Sequence, residues 1–313
     1  MTKILVTGGA GYIGSVLVPM LLKEGYEVTV IDNFMYSQTS LLDVCYHPNL
    51  HIARGDVRDE EAMKRLMEDA EFIIPLACIV GAPACDRDPR AARTINLEAV
   101  EFILKTRHAS QKIIFPNTNS GYGRSKDGSV AFCDETTPLN PLSLYGTLKV
   151  QAEQEILAAG NAVTFRLATV FGISPRMRLD LLVNDFVYRA ITDRAVILFE
   201  PHFKRNYIHV RDVANAFLHA IKNFETMKNE PYNIGLSDAN LSKRELCEEI
   251  KKQLPDFVFI ESEIGKDVDQ RNYMVSNEKI ERTGFKPAIS IQEGITELIK
   301  GFKIIRRTDF SNL

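Results

Sequence analysis

The chain has no tryptophan, few cysteines and no long apolar run, and its positive and negative charges nearly cancel. Its five cysteines are odd in number and form no C-x-x-C pair, so the sequence favours reduced thiols and no bound metal. A formal net charge of −3 over 313 residues indicates no basic surface for nucleic acid. The longest apolar stretch, residues 72–85, contains two prolines and is too short to span a bilayer. We therefore expect a cytoplasmic protein without nucleic-acid or membrane partners.

The most informative pattern lies in residues 3–14, where a strand-like apolar run leads into closely spaced glycines and then a helical pattern. The glycines follow the spacing G-x-x-G-x-x-G. Strand, glycine-rich turn and helix in this order leave free backbone N–H groups at a helix N-terminus, where they can bind the pyrophosphate of a dinucleotide. The turn residues that we expect to contact such a cofactor are Gly8, Gly11, Tyr12, Ile13 and Gly14.

The residue that ends the second strand indicates which dinucleotide is bound. Residues 27–31 form this strand-like run, and Asp32 follows it about twenty residues beyond the glycines. A carboxylate at this position bonds the adenosine ribose hydroxyls and repels a ribose 2′-phosphate. Neither Asn33 nor Phe34 offers the cation that such a phosphate would need. The sequence therefore predicts NAD rather than NADP, with Asp32 and Asn33 in its binding site.

Short apolar runs alternate with helical patterns through the first half of the chain. The strand-like runs are 50–53, 72–77, 113–115 and 163–167, and the intervening helical patterns are 60–70, 89–107 and 142–159. This order predicts an α/β fold, a doubly wound parallel sheet (Rossmann fold) with ligands at the carboxyl ends of the strands. We expect an NAD-binding domain over residues 1–170 and a smaller C-terminal substrate-binding domain over 171–313. The two would be interleaved, because segments near 206–235 could return to the main sheet.

Two further positions give local predictions. Asp56 follows the third strand and, with Val57, is placed to meet the adenine edge, the alternative being an exposed loop aspartate. Pro19 falls inside the helix after the glycine turn and removes a backbone hydrogen bond, which predicts a kink near Ser15 or an early end of that helix.

A tyrosine and a lysine four residues apart, Tyr145 and Lys149, fall in a helical pattern and should share one helix face. A tyrosine removes a proton from a sugar hydroxyl only if its pKa falls from about 10 toward neutrality. An ammonium about 4 Å away supplies an interaction of about 4 kcal/mol at an effective dielectric near 20, so Lys149 is expected to lower the pKa of Tyr145. Thr118 should end a strand and orient the same substrate hydroxyl, whose carbon would lose a hydride to the nicotinamide. A surface pair of residues is the simpler alternative for Tyr145 and Lys149.

Together these motifs resemble the extended short-chain dehydrogenase/reductase family, the branch that contains nucleotide-sugar epimerases and dehydratases. The resemblance spans nearly the whole chain and includes Leu76, Ala77 and Asn96, which it places beside the cofactor. It implies that Arg205 and Arg271 bind the diphosphate of a nucleotide sugar, for which a planar guanidinium is suited. It also implies a homodimer formed through helices 89–107 and 142–159. The other substrate-binding residues that we expect are Asn119, Ser120, Thr169, Arg176 and Asn184.

Two stretches place the chain more narrowly within this family. Residues 116–123 and 171–185 are similar to those of bacterial capsular-polysaccharide enzymes that oxidise C4 of GDP-manno-heptose, which implies a tightly held NAD and a 4-keto product. In the related 4,6-dehydratases an acidic pair follows the hydroxyl residue, whereas Asn119 and Ser120 follow Thr118 here. Thr169 stands where an asparagine is common, so the usual substrate contact at that position is in doubt.

The leading hypothesis from the sequence is NAD-dependent oxidation at C4 of a nucleotide-activated sugar by a 4-dehydrogenase with a GDP-heptose-like substrate. The alternative is a 4-epimerase that forms a transient 4-keto sugar and returns the hydride to the other face. No residue separates these two outcomes. A 4,6-dehydratase lacks its acid, and a non-catalytic NAD-sensing protein would not need both Tyr145 and Lys149.

Overall fold

The computed structural model describes residues 1–123, 131–262 and 271–305. The strands are β1 (Lys3–Thr7), β2 (Glu27–Asp32), β3 (Leu50–Arg54), β4 (Phe72–Pro75), β5 (Lys112–Thr118), β6 (Ala131–Cys133), β7 (Ala162–Leu167), β8 (Thr169–Phe171), β9 (Ala195–Phe199), β10 (Lys204–His209), β11 (Glu230–Ile234), β12 (Asn240–Ser242), β13 (Val258–Ser262) and β14 (Tyr273–Val275).

The α-helices are α1 (Gly14–Lys23), α2 (Glu60–Met67), α3 (Ala82–Arg87), α4 (Pro89–Arg93), α5 (Ala99–Thr106), α6 (Leu144–Ala159), α7 (Leu182–Thr192), α8 (Val210–Lys222), α9 (Phe224–Met227), α10 (Lys243–Gln253), α11 (Glu278–Glu281) and α12 (Ile291–Gly301). A π-helical turn, Thr94–Glu98, joins α4 to α5. Among the described residues, no helix is both long and apolar enough to cross a membrane.

Seven parallel strands form the main sheet, in the order β11-β7-β5-β4-β1-β2-β3. The order reverses direction between β1 and β4, which creates a crevice at the carboxyl ends of these strands. Strand β4, with the sequence Phe-Ile-Ile-Pro, is buried along its whole length, as expected where helices cover both faces of a sheet. The predicted doubly wound Rossmann fold is confirmed.

The second half of the chain forms a further apolar core around helices α7, α10 and α12. Strand β11 pairs with β7 at the edge of the main sheet, so the predicted return of the segment near residue 233 is confirmed. The same prediction is wrong for the segment near residue 208. Strand β10 pairs with β8 and β12 in a separate three-stranded sheet.

Helix α1 does not end early at Pro19, contrary to one of the two predicted outcomes. It continues to Lys23, and its apolar residues pack in the core beneath the main sheet. The buried ones are Leu17, Val18, Leu21 and Leu22. Burial of these side chains against the sheet and α8 outweighs the loss of one backbone hydrogen bond.

A buried ionic cluster ties helix α6 to two strands of the main sheet. The Glu153 carboxylate accepts hydrogen bonds from Asn117 Nδ2 at 2.8 Å and Thr164 Oγ1 at 3.1 Å. It also accepts from Arg166 Nε at 3.0 Å and Arg166 Nη2 at 2.8 Å. Glu153 is 1% exposed and Arg166 is 6% exposed, so each charge depends on the other for compensation.

We predict that Glu153→Gln destabilises the protein by about 3 kcal/mol, because it leaves the Arg166 guanidinium buried without its countercharge. The measurement is urea unfolding followed by circular dichroism. The matched control is Glu61→Gln, which removes an exposed partner of Lys64 and should change stability by less than about 0.5 kcal/mol. Equal unfolding midpoints for the two variants would contradict the prediction.

Candidate active site

A cavity of about 780 Å³ opens at the carboxyl edge of the main sheet, where the strand order reverses. Its walls combine the glycine turn, the ends of β2, β4 and β5, the start of α6 and the loop after β8. The volume suits a small-molecule site. Among the described residues, no group of three or more His, Cys, Asp or Glu side chains is arranged to hold a metal.

The glycine turn provides the cradle that a dinucleotide requires. Gly8 has a φ of +66°, and a Cβ there would lie 2.6 Å from the backbone nitrogen of Ala77. A Cβ at Gly14 would lie 2.4 Å from the carbonyl oxygen of Gly9. Both contacts are too short for any side chain, so the turn packs directly on the end of β4 and on the start of α1. The residues therefore fit a pyrophosphate at the N-terminus of α1.

Asp32 lies at the end of β2, in the wall of the cavity, and supports the glycine turn. One carboxylate oxygen accepts a hydrogen bond from the backbone of Ala10 at 3.0 Å. The other accepts from the backbone of Phe34 at 2.8 Å and from Gln38 Nε2 at 3.1 Å. Each carboxylate oxygen has two lone-pair sites, so Asp32 keeps capacity to accept from a ribose hydroxyl. Asp32 is thus both a turn-stabilising residue and a candidate ribose ligand.

Asp56 also lines the cavity, together with Val57 and Asn33. The Arg58 guanidinium, 2.7 Å from the carboxylate, lowers the pKa of Asp56 to about 2. Asn33 Nδ2 donates a further, long hydrogen bond to it at 3.4 Å. This arrangement fixes the carboxylate at the cavity edge, where the adenine edge was predicted to bind.

The three residues predicted to act on the substrate hydroxyl line the part of the cavity formed by β5 and α6. Thr118 ends β5 and caps the short helical turn Asn119–Tyr122, with its hydroxyl accepting from the backbone of Ser120 at 3.1 Å. Tyr145 and Lys149 lie one turn apart on α6, whose N-cap is Ser143. All three line the cavity, which places Tyr145 and Lys149 away from the exterior surface considered as the alternative.

The electrostatics around Tyr145 differ from the prediction. Burial raises the pKa of Tyr145, and the neighbouring Cys78 thiol acts in the same direction. Arg178 and Arg271 are the cations with the largest opposing effect. The Lys149 ammonium instead lies over the Phe115 ring, 3.7 Å from its centroid, and burial lowers the pKa of Lys149. The expectation that Lys149 lowers the pKa of Tyr145 is therefore not met in this structure, because desolvation dominates.

Arg178 is a site residue that the sequence analysis missed. Its guanidinium makes two contacts with the Asp180 carboxylate, one from Nη2 and one from Nε at 3.1 Å, and its side chain is 12% exposed. It lies in the cavity wall within electrostatic range of Tyr145, Tyr12 and Cys78. Its position in a motif that also contains Arg176 was visible in the sequence, but no regular spacing indicated where its side chain points.

The amide of Asn119 is available for a ligand. The residue is 2% exposed and lines the cavity, and neither its Oδ1 nor its Nδ2 has a hydrogen-bond partner among the residues that the structure describes. Burying an amide without partners costs a few kcal/mol. The neighbouring Ser120 hydroxyl, in contrast, accepts from Thr118 Oγ1 at 2.9 Å and contacts Arg271 Nη1.

Most of the remaining predicted residues also line the cavity, and two do not. Those that line it are Leu76, Ala77, Thr169, Arg176, Arg205 and Arg271. Asn96 is buried, with its side chain bonded to both backbone groups of Ile79 at 2.8 and 2.9 Å. Asn184 is also buried and bonds the backbone of Gly172 at 3.0 Å and of Arg178 at 2.8 Å. The amides of both asparagines hold loops that form the cavity, and their predicted ligand contacts stay predictions.

Fold and site together define an α/β enzyme that uses a dinucleotide beside a tyrosine–lysine helix. The model of the NAD dependent epimerase/dehydratase family matches residues 4–235, and the chain belongs to this family. NAD is accordingly the cofactor, and it supplies a hydride acceptor when bound.

Individual relatives are similar to the chain over most of its length. A UDP-glucose 4-epimerase of Corynebacterium glutamicum is 26% identical over 79% of this chain and 80% of the relative. A dTDP-D-glucose 4,6-dehydratase of Homo sapiens is 25% identical over 96% of this chain and 90% of the relative. The crystal structure of the UDP-glucose 4-epimerase of Thermotoga maritima with UDP-glucose has a TM-score of 0.83 and 26% identity, covering 96% of this chain and 99% of that one.

We predict that Arg178→Gln moves the rising limb of the pH profile of kcat to higher pH. Removal of a positive charge raises the pKa of Tyr145 further, and only the deprotonated tyrosine accepts a proton from the substrate. Arg178→Lys keeps the charge, so its pH profile should lie close to that of the wild type. The measurement is kcat against pH with a substrate that is turned over, and identical profiles for wild type and Arg178→Gln would refute the role of Arg178.

Proposed function

We propose that this enzyme oxidises C4 of a nucleoside-diphosphate sugar, with NAD as the hydride acceptor. The observation that carries the proposal is that Thr118, Tyr145 and Lys149 line the same cavity as the glycine turn. Tyr145 takes the proton of the C4 hydroxyl, Thr118 orients that hydroxyl, and Lys149 places its ammonium at the same end of the site. The named relatives act on UDP-glucose or dTDP-glucose, which supports a sugar nucleotide as the substrate class.

Arg205 and Arg271 are proposed to bind the diphosphate. Arg205 is 2% exposed and lies on β10, with its guanidinium 5.8 Å from the centre of the Tyr273 ring. Arg271 reaches Ser120 from the segment before β14. Both guanidinium groups line the cavity and present bidentate donors that match phosphate oxygens. Asn119, whose amide has no partner among the described residues, is then positioned to bond the sugar.

The fate of the 4-keto sugar distinguishes the two leading outcomes. The C. glutamicum and T. maritima relatives are 4-epimerases, which favours return of the hydride to the opposite face. A 4-dehydrogenase acting on a GDP-heptose-like sugar rests on the motif resemblance alone and stays a prediction. The positions after Thr118 hold an amide and a hydroxyl engaged by Arg271, neither of which is an acid for water elimination. A 4,6-dehydratase is therefore disfavoured despite the human relative.

The decisive experiment incubates the purified protein with GDP-, UDP-, CDP- and dTDP-sugars, including GDP-manno-heptose. Product mass and the redox state of the bound cofactor are followed together. An isomer of unchanged mass identifies a 4-epimerase, and loss of two hydrogens with accumulating NADH identifies a 4-dehydrogenase. Both results support C4 oxidation. Loss of water, or no change with any sugar nucleotide, would overturn the proposal.

We predict that Tyr145→Phe lowers kcat by about 10²–10⁴-fold while NAD binding survives, because only the proton-accepting oxygen is removed. NAD content is measured on the same preparation by acid extraction and absorbance. Tyr46→Phe is the matched control, since Tyr46 is 83% exposed and outside the cavity, and it should retain wild-type activity. Undiminished turnover by Tyr145→Phe would exclude Tyr145 as the base.

A further inference from the structure

We propose that Arg176 binds the pyrophosphate of NAD rather than the sugar nucleotide, and that residues 172–180 form a strap that retains the cofactor. From its sequence position, Arg176 is expected among the substrate ligands. In the structure Arg176 lies at the end of the cavity where Asp32 and the glycine turn are found, and the strap carries it there from the loop after β8.

The position of the Arg176 guanidinium follows from its neighbours. It lies over the ring of Tyr36, 4.6 Å from the ring centre, and Tyr36 follows β2 shortly after Asp32. Burial lowers the pKa of Arg176, while the charges of Tyr36 and Asp32 act in the opposite direction. The charge that acts on the pKa of Tyr145 is instead that of Arg178, two residues further along the chain. Arg178 acts on the pKa values of both Tyr12 and Tyr145, so it lies between the glycine turn and the tyrosine helix, whereas Arg176 lies over Tyr36.

The strap is anchored to the first turn of α1, where the pyrophosphate is expected. Ser174 Oγ donates to the carbonyl of Tyr12 at 2.7 Å and lies 2.8 Å from Ser15 Oγ. The backbone nitrogen of Arg176 donates to Ser15 Oγ at 3.3 Å. The Tyr12 hydroxyl donates to the carbonyl of Gly172 at 2.8 Å. These bonds join the strap to the glycine turn and to the first turn of α1.

The chemistry of a buried guanidinium favours an anion as its ligand. Arg176 is 4% exposed and its Nη1 donates to the carbonyl of Met177, and a buried charge is stabilised further when an opposite charge accompanies it. A pyrophosphate at the N-terminus of α1 would lie between the helix N–H groups and this guanidinium, which is a bidentate phosphate donor. The strap would cover the cofactor from the side opposite the glycine turn. A cofactor held from both sides leaves slowly, as an enzyme that reuses one NAD requires.

The test compares wild type with Arg176→Gln for NAD affinity and NAD retention. Each protein is stripped of cofactor and titrated with NAD by calorimetry, and NAD that co-purifies is quantified after acid extraction. We expect Arg176→Gln to bind NAD about 10- to 100-fold more weakly, the range for loss of hydrogen bonds to a charged group. At saturating NAD, the KM for the sugar nucleotide should stay at its wild-type value. Arg176→Lys keeps the charge without the bidentate geometry and should fall between the two.

Two further variants separate a specific contact from a general loss of structure. Arg282→Gln removes an arginine that is 73% exposed and paired with Glu278, and it should bind NAD as wild type does. Ser174→Ala removes the anchor of the strap while retaining Arg176, and it should speed NAD release. Melting temperatures without cofactor establish that each variant is folded.

Three outcomes would overturn the proposal. Wild-type NAD affinity in Arg176→Gln would exclude the contact, and a raised KM for the sugar nucleotide at unchanged NAD affinity would return Arg176 to the substrate. An effect on NADP binding alone would assign the guanidinium to a ribose 2′-phosphate. Because the main readout is NAD binding, it does not depend on which sugar the enzyme uses.

Discussion

The buried Glu153 cluster is the interaction that sets the geometry of the cavity around Thr118, Tyr145 and Lys149. Tyr145, Lys149 and Glu153 are spaced by four residues along α6 and so lie along one face of that helix. Glu153 is bonded to Asn117 on β5 and to Thr164 and Arg166 on β7. Asn117 directly precedes Thr118. The cluster therefore fixes the rotation and register of the tyrosine helix against the strand that carries the threonine, which apolar packing alone would leave free to slide.

The part of the cavity formed by the glycine turn depends mainly on close backbone packing. Gly8 lies so close to Ala77 that the first and fourth strands end in direct backbone contact, and Asp32 holds the turn through Ala10. The strap then closes the same region through serine hydroxyls. The glycine turn follows β1 and the Glu153 cluster joins β5 and β7, with β4 between them in the same sheet, so the sheet itself sets the distance between the two ends of the cavity. A hydride acceptor and a proton acceptor can thus be placed together without a flexible element between them.

A feature of the site could be predicted from the sequence when residues close along the chain determine it, and could not when distant segments do. The glycine turn, Asp32, Thr118 and the Tyr145–Lys149 pair were found because their roles depend on residues within one strand–turn–helix unit. The loop-holding bonds of Asn96 and Asn184 could not be predicted, because distant segments decide whether an amide faces a cavity or a backbone loop. The strap shows the same limit. It is neither helix nor strand over residues 172–180, so the spacing of Arg176 and Arg178 does not reveal which part of the cavity each side chain reaches.

The raised pKa of Tyr145 bears on the direction of the chemistry. A phenolate is costly in this buried setting, and Arg178 and Arg271 offset only part of that cost. When Tyr145 accepts the C4 hydroxyl proton it becomes neutral, so desolvation favours the state in which the sugar carries a ketone. The neutral tyrosine is also the acid that a returning hydride needs, and it is held at the same position by the Glu153 cluster. A site that keeps this proton on the tyrosine suits a reversible oxidation.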